Sequence, residues 1–159
     1  MNHPFIYSFV ACGVSIALEA VFAGHGIKAR LAELRVPRYA PPLWGWVVIG
    51  VFYYIICFAL LYRLFATPEI GSSRRRAFGL LGCMMFINAL WNYFFFRTRN
   101  LRHAYLIGLP YSLIAVTLFV LLLRIDKPAA FCLLFYLAYL FYANAFGYRV
   151  WKLNDSAVS

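Results

Sequence analysis

The chain has 159 residues, of which 65% are hydrophobic, 20% aromatic and only 13% charged, and its mean hydropathy is +0.77. A soluble domain is roughly half apolar and a quarter charged, so the composition excludes a water-soluble fold and requires an integral membrane protein. The formal charge of +10 does not point to nucleic acid, because the basic residues lie between apolar runs, where they set topology and meet headgroups.

In chain order, five apolar runs are long enough to cross a bilayer. The first covers 5–24. It lacks the basic leader of a signal peptide and is expected to remain as a helix. Ser8, Cys12, Ser15 and Glu19 fall at i, i+4, i+7 and i+11 and form one polar stripe. Glu19 is the only acid well inside a run, which makes it a candidate functional group and a possible proton site. The alternative is that it lies near the helix end, beside Gly24-His25-Gly26, and reaches interfacial water or a basic partner.

Residues 25–42 form the longest connection. A short amphipathic helix is predicted over 27–34, with Lys28, Arg30 and Arg35 among headgroups. Pro37, Pro41 and Pro42 then forbid regular helix. Trp44 and Trp46 follow at the place of an aromatic belt.

The second span, 43–65, puts Trp46, Gly50, Tyr53 and Cys57 on one side. A turn over 67–73 ends in Arg74-Arg75-Arg76. The third span, 77–96, carries two asparagines near its far end. Asn88, Trp91, Asn92 and Phe95 share one face at i, i+3, i+4 and i+7. An amide in hydrocarbon costs several kcal/mol without a partner, so this face is expected to look inward. Two readings remain open. The amides bond neighbouring helices while the rings pack, or amide and rings together line a pocket for a flat apolar ligand.

The fourth span, 104–123, contains Pro110, where a kink is expected. After a tight turn at Asp126, the fifth span covers 128–151. It places Tyr136, Tyr139, Ala143 and Gly147 on one face, with Asn144 beside them. Ala143 and Gly147 make a small-xxx-small packing pair. The expected architecture is an all-α integral membrane protein, a single five-transmembrane-helix bundle over 1–159. An odd number of spans separates the termini. The side holding the C-terminus carries nine basic residues (28, 30, 35, 38, 97, 99, 102, 149, 152) against six (63, 74, 75, 76, 124, 127), which favours a cytoplasmic C-terminus.

Cys12, Cys57, Cys83 and Cys132 each sit in an apolar run without a paired spacing and read as small apolar fillers. No Ser-His-acid set, metal-ligand spacing or phosphate loop is present, so no catalytic residue and no metal site is assigned. His3, His25 and His103 fall in terminus or loop positions and read as surface histidines; His25 or His103 as an axial haem ligand is the lesser alternative. Transport stays open, although five spans do not divide into two inverted halves.

Three segments carry a family resemblance. They are Leu34-Arg35-Val36-Pro37-Arg38-Tyr39-Ala40-Pro41-Pro42-Leu43-Trp44; Asn88-Ala89-Leu90-Trp91-Asn92-Tyr93-Phe94-Phe95-Phe96-Arg97-Thr98-Arg99; and Tyr136-Leu137-Ala138-Tyr139-Leu140-Phe141-Tyr142-Ala143 with Val150-Trp151-Lys152-Leu153-Asn154. In this order on a five-span chain they resemble the TspO/MBR family, the tryptophan-rich sensory proteins of bacteria and the mitochondrial translocator protein (peripheral-type benzodiazepine receptor). The resemblance runs roughly from Leu34 to Asn154. It implies a bundle that is often a homodimer, in a bacterial or mitochondrial outer membrane, with a pocket in each protomer capped by the first loop.

The family's ligands are tetrapyrroles such as protoporphyrin IX and haem, sterols in animal members, and benzodiazepine-type drugs. No obligatory cofactor is implied, and porphyrin or haem would be bound as ligand. The matching pocket positions are Pro42, Asn88, Trp91, Tyr139 and Ala143. Asn88 would supply a polar contact, and Trp91 and Tyr139 would stack on a flat ring. The chain departs from the pattern at Arg30-Leu31, where the family has Trp-Tyr, and at Gly50, where it has a tryptophan. It departs again at Tyr139, at Phe146-Gly147 and at about Ile107. Trp46, one turn before Gly50, is the candidate to fill that gap. These changes argue against the light-dependent porphyrin breakdown associated with some bacterial members. That activity is kept as an alternative, beside a structural or regulatory role without a small ligand. Tyr148-Arg149 leaves no spacer for a sterol motif, so sterol binding is not claimed from it, and lipid or sterol stands only as a further ligand class beside the tetrapyrroles.

Overall fold

The computed structural model describes residues 3–67 and 71–155. Helix α1 spans Pro4–Ala23, the short α2 spans Ile27–Glu33, and α3 spans Leu43–Ala66. Helix α4 spans Ser72–Asn92 and continues as one π-helical turn, Tyr93–Arg97. Helices α5, Leu101–Ile125, and α6, Lys127–Asp155, complete the chain. Five of these are long and apolar enough to cross a membrane, and no strand occurs among the described residues. The protein is therefore an all-α, multi-pass bundle. Around it the helices run α1, α4, α5, α6, α3 and back to α1, with α3 and α4 also touching.

Several boundaries differ from the run lengths in the sequence. Helix α4 begins at Ser72, so Arg74–Arg76 lie in its first turns rather than at the end of a turn. Long basic side chains let a helix continue past its apolar stretch, because the charged heads reach back to polar groups. Arg74 does so by donating to the Thr67 carbonyl while its guanidinium lies over Phe78. The expected turn over 67–73 falls partly on 68–70, outside the described residues. Helix α5 runs unbroken across Pro110. At its end Asp126 accepts from the Ala129 amide at 3.1 Å and thereby caps α6. The same carboxylate pairs with Arg63 of α3 at 2.8 Å.

Lipid tails are as apolar as leucine, so close packing rather than the hydrophobic effect must hold such a bundle together. At the end away from the first loop, Leu60, Leu81, Met84, Leu118, Leu122 and Leu133 are fully buried. Ala77, Ala115, Ala129 and Ala130 lie fully buried among them and let the helices approach. The polar stripe of α1 faces inward, with Ser8 0%, Cys12 7% and Ser15 7% exposed, while Phe5, Phe9 and Val14 point out to lipid. All four cysteines are free; Cys12 and Cys57 are buried fillers, Cys132 is half-buried and Cys83 is exposed.

At the other end the first loop folds over the bundle. Gly24 and Gly26 take positive φ, 69° and 88°, a backbone that L side chains rarely adopt, and so turn the chain from α1 into α2. Asn154 then clamps the loop: its amide donates to the Arg35 carbonyl at 2.9 Å and accepts from the Arg35 amide at 3.1 Å. The Tyr142 hydroxyl donates to the Tyr39 carbonyl at 3.2 Å, and Arg99 pairs with Glu33 at 3.2 Å.

Candidate functional site

Beneath this clamped loop, a second buried cluster forms around Leu34, Phe95, Ala104, Phe146 and Val150. Its walls are mostly rings. Trp91 stacks on Phe95 with centroids 4.6 Å apart, and Trp46 lies 5.0 Å from Phe146. Tyr142 stacks on Phe146 at 6.0 Å. Planar groups pack in offset or edge-on pairs and slide past one another more readily than branched aliphatics interlock. These aromatics come from α3, α4, the π turn and α6. The arrangement is a packed aromatic cluster directly beneath the loop, called the chamber below for the site proposed there.

The chamber borders a polar junction among α1, α3 and α4. Glu19 Oε1 accepts from the Tyr54 hydroxyl and from the Asn88 side-chain amide, both at 2.5 Å. The Tyr54 hydroxyl also lies 3.2 Å from Ser15 Oγ. The side-chain contacts of the half-buried Glu19 are thus an amide and a phenol of the bundle interior, and it makes no ion pair with a basic side chain among the described residues. The reason is geometric: the Ser8–Glu19 stripe faces α3 and α4, and those helices present Tyr54 and Asn88 at that depth. Farther across, Tyr111 and Tyr136 share a 2.6 Å hydroxyl contact between α5 and α6. The Asn144 amide donates to Ser112 Oγ at 2.8 Å.

The residues singled out in the sequence occupy different parts of this arrangement. Asn88 has its amide nitrogen committed to Glu19. Trp91 and Trp46 are half-buried walls of the chamber. Tyr139 sits on the boundary between the two cores, 5.7 Å from Tyr136 and 6.0 Å from Tyr142. Ala143 is half-buried one turn after it on α6, and Pro42 is exposed at the loop end of α3, preceding its first turn. Trp46 does not fill the gap at Gly50, because its ring is spent on Phe146. Gly50 instead lines a groove of about 470 Å³ between α1 and α3, bounded by Cys12, Ile16, Val51, Tyr54 and Phe58.

Sequence reasoning assigned no site role to Tyr54, Tyr111, Tyr142 or Phe146. Tyr54 was accessible in principle: as the neighbour of Tyr53 it faces a different helix, and two adjacent tyrosines in a span straddle two interfaces. Tyr142 and Phe146 fall at i and i+4 on α6 and so share a face with Tyr139 and Ala143. His103 stacks on Phe94 at 5.6 Å near the start of α5, and Phe94 in turn packs against the buried cluster. Among the described residues no group of three or more His, Cys, Asp or Glu is placed to hold a metal ion.

The family model described as TspO/MBR family matches residues 6–152. No curated protein matches the chain.

Proposed function

The chain belongs to the TspO/MBR family of membrane sensory and ligand-binding proteins, and on that premise we propose that the ring-lined chamber beneath the first loop receives a planar hydrophobic ligand, a tetrapyrrole such as protoporphyrin IX or haem. The observation that carries this reading is the grouping of Trp46, Trp91, Phe95, Tyr142 and Phe146 in one packed cluster under a loop clamped by Asn154 and Tyr142. Flat rings take up a flat ligand by stacking, and a site that is mostly apolar with few polar groups fixes its orientation. In the structure the rings lie on one another, so a ligand enters by replacing ring–ring contacts such as Trp46–Phe146 with ring–ligand contacts. Tyr139 and Ala143 form the inner wall on α6. Asn88 supports the site from behind, its amide held by Glu19.

Titration of the purified protein in detergent with protoporphyrin IX, followed by tryptophan quenching, tests the proposal. Saturable binding weakened by Trp91→Leu and by Phe146→Ala is the expected result. Quenching that does not saturate, or that neither substitution changes, would place the ligand elsewhere.

A further inference from the structure

A cavity separate from the aromatic cluster and from the α1–α3 groove lies at the loop end of α1. Its volume is about 770 Å³. One wall is the last turn of α1, including Ala20 and Val21; the other is Phe96, Arg97 and Arg99 from the π turn and the connection after it, with His25 at the rim. The π turn matters here, because its extra residue displaces the side chains that follow from ordinary helical spacing. It brings Arg97 across to α1, where Nη1 donates to the Val21 carbonyl at 3.4 Å.

Positive charge in this corner exceeds the negative charge that answers it. Glu33 is shared by Arg99 at 3.2 Å and Arg30 at 3.7 Å. Arg97 makes no ion pair among the described residues. Burial first, and then Arg99 beside it, hold the Arg30 guanidinium below its ordinary pKa. Arg99 also takes a left-handed backbone, φ 58°, and is the one described non-glycine residue to do so. Its carbonyl is held in that position by Arg30 Nη2 at 3.3 Å. Such a conformation persists where surrounding contacts fix it, and Arg99 lines the cavity while its guanidinium pairs with Glu33.

The cavity is basic above and apolar below. Val21, on its apolar wall, is 64% exposed on the side where α1 meets lipid. We infer that this cleft binds an anionic phospholipid, with the phosphate held by Arg97 and Arg99 and an acyl chain lying along Ala20, Val21 and Phe96. Guanidinium groups grip phosphate through paired N–H donors. The apolar lower wall and the exposed Val21 side chain favour a lipid over a soluble phosphate. The cleft also sits on the side with nine of the fifteen basic residues, where an anionic leaflet is expected to lie.

The test is native mass spectrometry of the detergent-purified full chain incubated with phosphatidylglycerol, phosphatidylcholine or glycerol 3-phosphate. Melting in the two lipids is measured alongside. The wild type should retain one phosphatidylglycerol in preference to phosphatidylcholine, and glycerol 3-phosphate should not displace it. Arg97→Gln and Arg99→Gln should each lower that preference about fivefold. The pair Arg75→Gln/Arg76→Gln, at the opposite end of α4, should leave it unchanged. Equal retention of both lipids, or preference lost equally in the Arg75/Arg76 variant, would overturn the site. Full displacement by glycerol 3-phosphate would overturn the lipid assignment in favour of a soluble phosphate. Arg97→Gln also removes a cap on α1. If it lowers melting equally in both lipids and keeps the lipid preference, Arg97 is a helix cap and its part in holding the phosphate is overturned. Arg99→Gln, which leaves α1 untouched, then decides independently by the same lipid ratio.

Discussion

The two ends of the bundle are filled in different ways. Away from the first loop, Leu60, Leu81, Leu118, Leu122 and Leu133 interlock with fully buried alanines. Beneath the loop, Leu34, Phe95, Ala104, Phe146 and Val150 form a smaller buried cluster, and Trp46, Trp91, Phe94 and Tyr142 are half-buried against them. Branched aliphatics and alanines fill space between helices without voids, and in a bilayer that packing is the main stabilising contribution. Stacked rings touch over flat faces and can exchange one flat partner for another. On the proposed function, one end holds the helices and the other rearranges around a guest. The Glu19–Tyr54–Asn88 junction ties α1 to α3 and α4 beside the chamber.

The largest effect should come from the aliphatic end. Leu118→Ala opens a cavity at a fully buried position and should cost about 2–4 kcal/mol of stability, read by thermal or denaturant unfolding in detergent. Porphyrin affinity of the folded fraction should stay unchanged. An equal loss of affinity would show that the two ends act as one unit.

Next comes the junction. Glu19→Leu leaves the Tyr54 hydroxyl and the Asn88 amide without their acceptor and should cost about 1–3 kcal/mol. Glu19→Gln keeps an acceptor oxygen and should recover most of that. Indistinguishable melting of all three proteins would remove the junction from the account of stability.

At the aromatic end the effects should reverse. Trp91→Leu should weaken porphyrin binding about tenfold, near 1.4 kcal/mol, while the melting midpoint moves by less than about 3 °C. A large drop in melting with unchanged affinity would assign Trp91 to packing instead. The smallest effect belongs to the lid. Tyr142→Phe loses one hydrogen bond to the Tyr39 carbonyl and should change stability by less than about 1 kcal/mol. Stopped-flow release of bound porphyrin should nevertheless speed up severalfold, because the loop is then clamped at one point fewer.

Much of this was legible in the residues. The inward face of α1 followed from Ser8, Cys12, Ser15 and Glu19 at helical spacing. The need of Asn88 for an interior partner followed from the cost of an unpaired amide in hydrocarbon. The resemblance carried by the loop, the Asn-x-x-Trp segment and the Tyr-rich last span agrees with the family match over 6–152. The start of α4 was misplaced because a run of arginines reads as the end of an apolar stretch, while the helix itself continues through it. Asn154 stood in a quoted motif without a stated role, and its role is to hold both backbone groups of Arg35, 119 residues away.

What the sequence determined by itself is everything set by composition and local period: the membrane, the five spans, the polar stripe of α1 and the identity of the ring-bearing faces. Burial in lipid demands internally bonded helices, and helical spacing then assigns side chains to faces. The tertiary structure alone decided which faces meet. Glu19 found Tyr54 and Asn88, 35 and 69 residues away, Trp46 turned to Phe146 rather than to the space at Gly50, and the π turn carried Arg97 over to α1. These pairings depend on how the helices are ordered around the bundle and on a local departure from α-helical spacing, and neither is encoded in the period of any single span.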